Sequence, residues 1–372
     1  FCEARYTAGK RTYKLTDKSW NSGQITISLL PYSESEGGIW TFSTIGFASG
    51  VQLKGLISEI NNSKLRRNGD MGADPNGSFE APVNPKQLQT FVWNANGTTY
   101  VAADSTSLHV LTQKQGEEEY TKSEDARNYL ATRVTFDTPD PYINTLGGAL
   151  TVAADGIWDK KTSTWMHGAI GWRMPLAGWR AAYAGDVLGW NYRAIEHFNA
   201  YAASQVTDVS CTISHPTQDT VQNMSRAVEK WGTPMYSNGY ICRNPNNNKQ
   251  MHHYDMNLNY MDELLWHFCW NSDTVYMRKM WPVIKRHLTW EKINYDPDND
   301  GLYDAYCCIW ASDALYYNSG AVTHSSAYNY RANKLAARIA EILGENGKPY
   351  QDEADKILSA MNSRLWIPKN GC

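Results

Sequence analysis

The residues best suited to chemistry lie between positions 251 and 313, in two segments rich in carboxylates and tryptophans. The first segment reads MHHYDMNLNYMDELLWHFCW and the second reads DPDNDGLYDAYCCIWASD. Carboxylic acids can give and take protons during a reaction, and tryptophan rings offer large flat apolar faces. We therefore interpret these segments as the lining of an active cleft for a flat, hydroxyl-rich ligand, of which sugars are the commonest kind.

Glu263 is the first candidate for a proton donor, and Asp304 is the second. Glu263 and its neighbour Asp262 stand in the middle of an apolar segment, where an acid must either be paired or face a cavity. Desolvation at such a position raises the pKa of a carboxyl group, as a general acid requires. Asp262 is assigned to substrate binding. The alternative is a structural salt bridge from this pair to Arg173 or Arg180.

The tripeptide Gly-Trp-Arg occurs twice in WMHGAIGWRMPLAGWR and supplies Trp172, Arg173, Trp179 and Arg180 as candidate binding residues. Glycine allows the backbone to approach a ligand closely, and arginine offers a fork of donors to hydroxyl groups or to a carboxylate. The alternative is a packing seam in which arginine stacks on tryptophan. Further candidate substrate contacts are Trp190, Trp310 and Asp313.

Two adjacent histidines and a tyrosine, His252, His253 and Tyr254, are interpreted as hydrogen-bonding partners of ligand hydroxyls. Neighbouring histidines cannot easily share one metal ion, so no catalytic metal is predicted. The alternative is a capping role beside Asp255 near a helix N-terminus.

The segment DPDNDG has the spacing of the first half of a calcium loop, with Asp296, Asp298 and Asp300 in the ligand positions. The twelfth position is Cys307, where a complete loop has glutamate. A structural calcium ion and a plain Asp/Gly turn therefore both remain open, and no other cofactor is predicted.

Length and composition limit the function further. The chain has 372 residues, enough for two domains, and its net charge of -3 gives no basic field for nucleic acid. No apolar run is long enough to span a membrane. None of the seven cysteines forms a CxxC pair, so a zinc site is not predicted.

Residues 1–137 have the pattern of a β domain. Residues 24–29 alternate polar and apolar side chains, and similar short runs, the last at 133–136, are separated by Gly-Gly and Asn-Gly turns. This pattern predicts an antiparallel β-sandwich. The acidic segment 116–125 is expected to be a solvated turn or a short helix. Two prolines follow residue 137 and mark the predicted domain boundary.

The pattern after residue 138 is helical. Asp186 is expected to cap a helix that runs to about residue 204. Gly344 is expected to end one helix, and Pro349 to occupy the first turn of the next. Further helices are predicted at 257–271, 273–293, 321–343 and 349–366. The first of these is apolar on most faces, which is typical of an inner helix in a layered helical toroid.

Several of these segments together resemble the six-hairpin (α/α)6 glycosidases. They are WHFCWNSD, the Trp281-Pro282 pair, DPDNDGLYD, Trp-Ala-Ser-Asp and LAARIAEILGENG. Combined with WMHGAIGWRMPLAGWR and MHHYDMN, the chain is most similar to a poorly characterised bacterial glycosidase-like family linked to polysaccharide breakdown. The resemblance covers about residues 141–366.

This resemblance implies an α+β multidomain chain, with an N-terminal antiparallel β-sandwich at 1–137 and a helical catalytic domain at 138–372 that forms part of an (α/α)6 toroid. It also implies a secreted or periplasmic bacterial protein. The general acid of such enzymes lies near the middle of the barrel, where Glu263 and Asp304 match best. About half of the helices of a full toroid are found, so a missing segment or a second chain is expected to complete it and to supply the general base.

The function favoured is an inverting glycoside hydrolase acting on a poly- or oligosaccharide. A polysaccharide lyase is the first alternative, since it needs a histidine or tyrosine base and an arginine beside a uronate carboxylate, and His253, Tyr254 and Arg180 are available. A sugar-binding protein without turnover is the second alternative. It keeps the aromatic platforms and has no need of a buried acid.

Overall fold

The computed structural model of the chain describes residues 1–58, 88–104, 107–168, 173–207, 212–214, 234–246, 255–304 and 321–371. These residues form two compact units, one built from Phe1–Gly156 and the other from the described residues after Gly156. The boundary predicted between residues 137 and 138 stays a prediction. Among the described residues, no helix is both long enough and apolar enough to cross a membrane.

The first unit contains an antiparallel sheet of six strands and a separate two-stranded hairpin. The strands are β1 (Cys2–Thr7), β2 (Lys10–Thr16), β3 (Gln24–Pro31), β4 (Gly38–Ile45), β5 (Gln52–Ser58), β6 (Leu88–Asn94), β7 (Thr98–Ala103) and β8 (Leu108–Leu111). The sheet has the order β1-β2-β3-β4-β7-β8, and β5 pairs with β6. The strand predicted from the alternation of residues 24–29 is confirmed, because β3 pairs antiparallel with both β2 and β4.

An aromatic core joins the hairpin to one face of the sheet. Phe42 and Val101 of the sheet pack with Phe91 of β6, and the Phe42 and Phe91 ring centroids lie 4.9 Å apart. Trp93 of the same strand lies 5.6 Å from Phe42. Burial of these large apolar side chains away from water holds the hairpin against the sheet.

Helix α1 (Gln113–Ala131) replaces the solvated turn or short helix expected at 116–125, and that expectation was wrong. The helix has 19 residues and begins with a capping box between Thr112 and Gln115. Its polar sequence concealed its length, because the helix is held by packing on the sheet rather than by an apolar stripe. A Cβ on Gly116 would lie 2.1 Å from Cγ of Tyr100, so only glycine permits this close approach.

The strand predicted at 133–136 was also wrong, because these residues are not part of any strand. They connect α1 to helix α2 (Pro141–Gly156), which belongs to the same unit. The carbonyl oxygen of Val134 lies against Gly147, 2.3 Å from where a Cβ would stand. This backbone therefore packs on a helix, and it pairs with no strand among the described residues.

The second unit is mainly helical. Its helices are α3 (Tyr183–Val187), α4 (Asn191–Ala202), α5 (Asp255–Trp270), α6 (Thr274–Tyr295), α7 (Thr323–Leu343) and α8 (Lys348–Ala360), which continues as a π-helical turn over Met361–Leu365. The four helices predicted after residue 257 are confirmed to within a few residues, except that α8 ends early. Pro349 lies in the first turn of α8, and Gly344 ends α7 with φ of 76°.

Helix α5 is enclosed, as its apolar sequence predicts. Twelve of its 16 residues are buried, and it packs against α3, α4, α6 and α7. Polar residues are among the buried ones, so their hydrogen bonds must be found inside the protein. The buried polar residues of this helix are Asp255, Asn257, Asn259, Glu263 and His267. The closed toroid stays a prediction.

The helix cap predicted at Asp186 was wrong. Asp186 lies within α3 and accepts a hydrogen bond from Nδ1 of His267, 2.8 Å from Oδ1. The chain then turns at Gly189, where φ is 69°, and α4 begins after Trp190. The carboxylate of Asp186 thus accepts a hydrogen bond from the buried His267 of the distant helix α5, and it does not cap the N-terminus of α4.

Candidate active site

Asp262 is held on α5 by two side chains from other helices. Arg331 of α7 donates from Nε to Oδ1 over 2.6 Å, and the hydroxyl of Tyr183 on α3 donates to Oδ2. The sequence suggested Arg173 or Arg180 as the salt-bridge partner of this pair of acids. For Asp262 the partner is Arg331, while Arg173 forms its ion pair with Asp159 at 3.3 Å.

Glu263 is in the opposite situation. Its side chain is 1% exposed, and neither carboxyl oxygen has a side-chain hydrogen-bond partner among the described residues. Burial, and to a lesser degree the charge of Asp262, raises the pKa of Glu263 well above its usual range. The backbone amide of Ala182 and the guanidinium of Arg180 oppose this rise without reversing it. Burial therefore favours the protonated, neutral form of Glu263.

The segment that carries Trp179 and Arg180 is tied to α5 by backbone contacts. Nδ2 of Asn259 donates to the carbonyl oxygen of Gly178 over 2.8 Å. A Cβ on Gly178 would stand 2.3 Å from the carbonyl oxygen of Met256, so the close approach requires glycine. Arg180 follows with a left-handed backbone, φ of 57°, which an arginine adopts at some cost in free energy. The segment thus delivers a cation to the neighbourhood of Glu263.

Two asparagines of α5 were missed by the sequence reasoning. Asn257 forms two hydrogen bonds with the backbone of Ile241. The Ile241 amide donates to Oδ1 of Asn257 over 2.6 Å, and Nδ2 of Asn257 donates to the Ile241 carbonyl oxygen over 3.0 Å. Oδ1 of Asn259 accepts a hydrogen bond from the hydroxyl of Tyr328 over 3.0 Å, while its Nδ2 donates to the carbonyl oxygen of Gly178. The signal was present, because an amide inside an apolar helix must bond to something. Its partners could not be inferred from spacing.

A second acid that the sequence reasoning missed is Glu291 on α6. It is 1% exposed and accepts one hydrogen bond, from Nδ2 of Asn329 at 3.1 Å. Burial raises the pKa of Glu291 to about 8; the bond from Asn329 opposes the rise and the charge of Asp255 adds to it. The argument applied to Glu263, an acid surrounded by apolar residues, would have found it.

The comparisons with known proteins match one family model to part of the chain and find solved structures that are similar over most of it. The model of a domain of unknown function, DUF4450, matches residues 2–124. No curated protein matches the chain.

Three solved structures are similar to this chain at low identity. A bacterial glucoamylase complexed with acarbose has a TM-score of 0.51 and 8% identity, over 97% of this chain and 58% of that one. A GH78 family rhamnosidase of Bacillus sp. GL1 has a TM-score of 0.43 and 11% identity, over 92% of this chain and 34% of that one. The α-L-rhamnosidase of Streptomyces avermitilis, complexed with L-rhamnose, has a TM-score of 0.44 and 13% identity, over 98% of this chain and 31% of that one.

The chain thus spans about a third of the length of the two rhamnosidases and 58% of the glucoamylase. The similarity to the glucoamylase shows a shared fold, so the chain has a glycosidase-like α+β fold. The resemblance proposed from the sequence motifs is confirmed at that level.

The tryptophans and arginines singled out from the sequence fall into different environments. Trp179 is half-buried, and its ring centroid lies 3.9 Å from that of His167. Trp190 is 3% exposed and packs under the guanidinium of Arg193, 4.5 Å from the ring centroid. Its ring therefore belongs to the packed interior, whereas Arg173 and Arg180 are exposed.

Asp304, the second candidate acid, is half-buried where the chain leads into α7. Its amide donates to the carbonyl oxygen of Tyr295 over 2.7 Å, and its backbone bridges to Ala321. Glu263 and Asp304 therefore differ in exposure. The remaining candidates lie outside the described residues, and their roles stay predictions. They are Trp172, His252, His253, Tyr254, Trp310 and Asp313.

The carboxylates of Asp296, Asp298 and Asp300 have ligand atoms within 4.8 Å of one another. Two of them are already paired with cations, because Lys292 donates to Asp296 and Arg364 donates to Asp300. The amide of Asp300 also donates to Asp296 over 2.9 Å, as in a plain Asp turn. Calcium at this loop stays a prediction.

Proposed function

We propose that this protein is a glycoside hydrolase of poly- or oligosaccharides, built from an N-terminal β-sandwich and part of an (α/α)6 toroid. One observation carries the proposal. Glu263 is a buried carboxyl group on the enclosed helix α5, its pKa is raised well above the usual range, and its oxygens have no side-chain hydrogen-bond partner among the described residues. About nine in ten buried polar groups are hydrogen-bonded, so an unsatisfied acid is a better candidate for chemistry than for scaffolding.

In the proposed mechanism Glu263 protonates the oxygen of the leaving sugar. A second carboxylate activates water on the opposite face of the ring, roughly 6.5–9.5 Å away, and the anomeric configuration inverts. Asp262 is held by Arg331 and Tyr183, and its charge contributes to the raised pKa of Glu263. Because Glu263 is 1% exposed, contact with a substrate requires the residues that cover it to move. Asp304 is the rival acid.

The substrate contacts that we propose are those predicted from the sequence. Trp179 offers a half-buried aromatic face, and the exposed Arg173 and Arg180 offer donors to hydroxyls or to a uronic carboxylate. The other proposed contacts are Trp172, Trp190, His252, His253, Tyr254, Asp262, Trp310 and Asp313. A secreted or periplasmic location is part of the same proposal.

The test compares wild type with Glu263→Gln, Asp304→Asn and Glu291→Gln on a panel of plant and microbial polysaccharides, with release of reducing sugar as the readout. Glutamine has the shape and the neutral charge of a protonated glutamic acid but cannot donate a proton of comparable acidity. We expect Glu263→Gln to lose about two to four orders of magnitude in rate with an unchanged melting temperature. Glu291→Gln is the matched control, since it removes an equally buried acid from α6, and it should retain activity.

Three results would change the assignment. Full activity in Glu263→Gln together with a loss in Asp304→Asn would transfer the acid role to Asp304. Unsaturated product with ultraviolet absorbance would point to a polysaccharide lyase, for which the cation of Arg180 beside Glu263 is the supporting observation. Sugar binding without product would favour a binding protein.

A further inference from the structure

The first unit contains a cavity of about 430 Å³ that is separate from the candidate active site. It is bounded by the turn after β3, by the turn after β7 and by one face of α1, and Ala102 and Leu111 contribute apolar surface. Small-molecule sites usually measure about 300–1,000 Å³. Every lining residue falls within residues 2–124, the region that the DUF4450 model matches.

Rigid elements fix the rim of this cavity. Gly38 pairs with Ala103 across β4 and β7, so the turns next to them share one end of the sheet. Gly37 has φ of 123°, and a Cβ there would stand 2.2 Å from the carbonyl oxygen of Ala103. The hydroxyl of Tyr32 donates to Oε2 of Glu119 over 2.8 Å, which ties the first turn to α1.

The cavity has both acceptors and donors that the described protein does not use. The other oxygen of Glu119, Oε1, has no hydrogen-bond partner among the described residues, and the carboxyl group is half-buried. The ammonium of Lys122, one turn further along α1, also has none in the part of the chain that the structure describes. A hydroxyl group can donate a hydrogen bond to the carboxylate oxygen and can accept one from the ammonium, so a ligand with hydroxyl groups would match both.

Charge narrows the class of ligand. Three lining carboxylates, of Glu34, Asp104 and Glu119, face one ammonium, of Lys122, which leaves a formal charge of -2 with His109 neutral. Such a site repels phosphates and uronates. Among the described residues, the acids grouped closely enough to hold a metal ion are those of the 296–300 loop, not these. A neutral ligand with several hydroxyls can bond to both the carboxylate oxygen of Glu119 and the ammonium of Lys122, whereas an organic cation would leave the ammonium without a partner.

We propose that this cavity binds a neutral mono- or disaccharide. The Tyr32 ring and the apolar side chains would contact the face of a sugar ring, while Glu119 and Lys122 bond its hydroxyls. The proposal does not depend on the hydrolase activity, because a protein without turnover would bind the same sugar here.

The test uses the whole chain and a panel of D-glucose, D-galactose, L-rhamnose, maltose and cellobiose, with saturation-transfer NMR and titration calorimetry. At least one sugar should bind to the wild-type protein. The substitution Ala102→Phe fills the cavity and should weaken the affinity for that sugar more than tenfold. Lys122→Gln should weaken it about threefold to tenfold. Lys114→Gln is the matched control, since it removes a lysine of the same helix that pairs with Glu118 outside the cavity at 3.9 Å. It should stay within twofold of wild type.

Glu263→Gln should also bind within twofold of wild type, which separates this site from the proposed function. The uronic acid analogue of the bound sugar should bind at least tenfold more weakly. Absence of binding by any sugar of the panel would overturn the proposal. Binding that survives Ala102→Phe but falls in Glu263→Gln would overturn it too, since it assigns the sugar to α5. If Ala102→Phe does not fold, Glu119→Gln and Lys122→Gln together provide the same comparison.

Discussion

Glu291 gives the sharpest test of the claim that burial keeps acids of this protein protonated. Its ordinary pKa of 4.5 rises to about 8 in the folded protein. Between these values the unfolded chain has lost the proton and the folded protein still holds it. The folded state therefore loses stability as pH rises through this range, and the contribution of the group is fully present only below pH 4.5.

The magnitude follows from the size of the pKa change. One pKa unit corresponds to about 1.4 kcal/mol, so a rise from 4.5 to about 8 destabilises the folded protein by up to about 5 kcal/mol at high pH. Glu291→Gln removes the ionisable group and can still accept the hydrogen bond from Asn329. We expect the variant to unfold within about 1 kcal/mol of wild type near pH 5 and to be several kcal/mol more stable near pH 8.

The assay is urea unfolding at pH 5, 6, 7 and 8, followed by tryptophan fluorescence, to which the buried Trp290 beside Glu291 contributes. Glu353→Gln is a control of opposite sign. Burial raises the pKa of Glu353, but its bond to Lys292 at 2.8 Å more than offsets this and lowers the pKa overall. That variant should be less stable than wild type by a constant amount from pH 5 to pH 8, because the contribution of Glu353 is complete above its ordinary pKa of 4.5 and is lost only as pH falls below that value.

A constant difference between Glu291→Gln and wild type from pH 5 to pH 8 would refute the reasoning. It would mean that Glu291 is ionised in the folded protein despite its burial. The assignment of Glu263 as a neutral acid rests on the same physical cause and would fall with it.

Three further predictions concern the scaffold around the acid. Asn257→Ala should lower the free energy of unfolding by about 2–4 kcal/mol in urea titration, because it leaves the buried amide and carbonyl of Ile241 without partners; a loss below 0.5 kcal/mol would contradict those bonds. Gly178→Ala should lower the melting temperature by several degrees, since its Cβ would meet the Met256 carbonyl at 2.3 Å, and an unchanged value would disprove the contact. Adding EDTA should leave the melting temperature unchanged, because Lys292 and Arg364 already pair with two of the three carboxylates of the 296–300 loop, and a fall that calcium restores would establish an ion there.

The local sequence pattern correctly predicted the four helices α5 to α8 and the strand at 24–29. Their periodicities come from the geometry of the helix and the strand themselves, so they can be read without knowing what lies opposite. Where packing on a distant element decides the structure, the pattern failed. Helix α1 is polar along its length, and it is held by the contact of Gly116 with Tyr100 of β7.

The sequence by itself determined that Glu263 would be buried and would hold its proton, because its apolar neighbours on one helix already imply desolvation. It could not decide the partners of the polar groups. Asp262 bonds to Arg331, 69 positions away, and Asp186 bonds to His267, 81 positions away. Such pairs form where helices cross, and crossing is fixed by the packing of whole apolar faces. Only the tertiary structure therefore decided that, of two adjacent acids, Asp262 is ion-paired and Glu263 stands alone among the described residues.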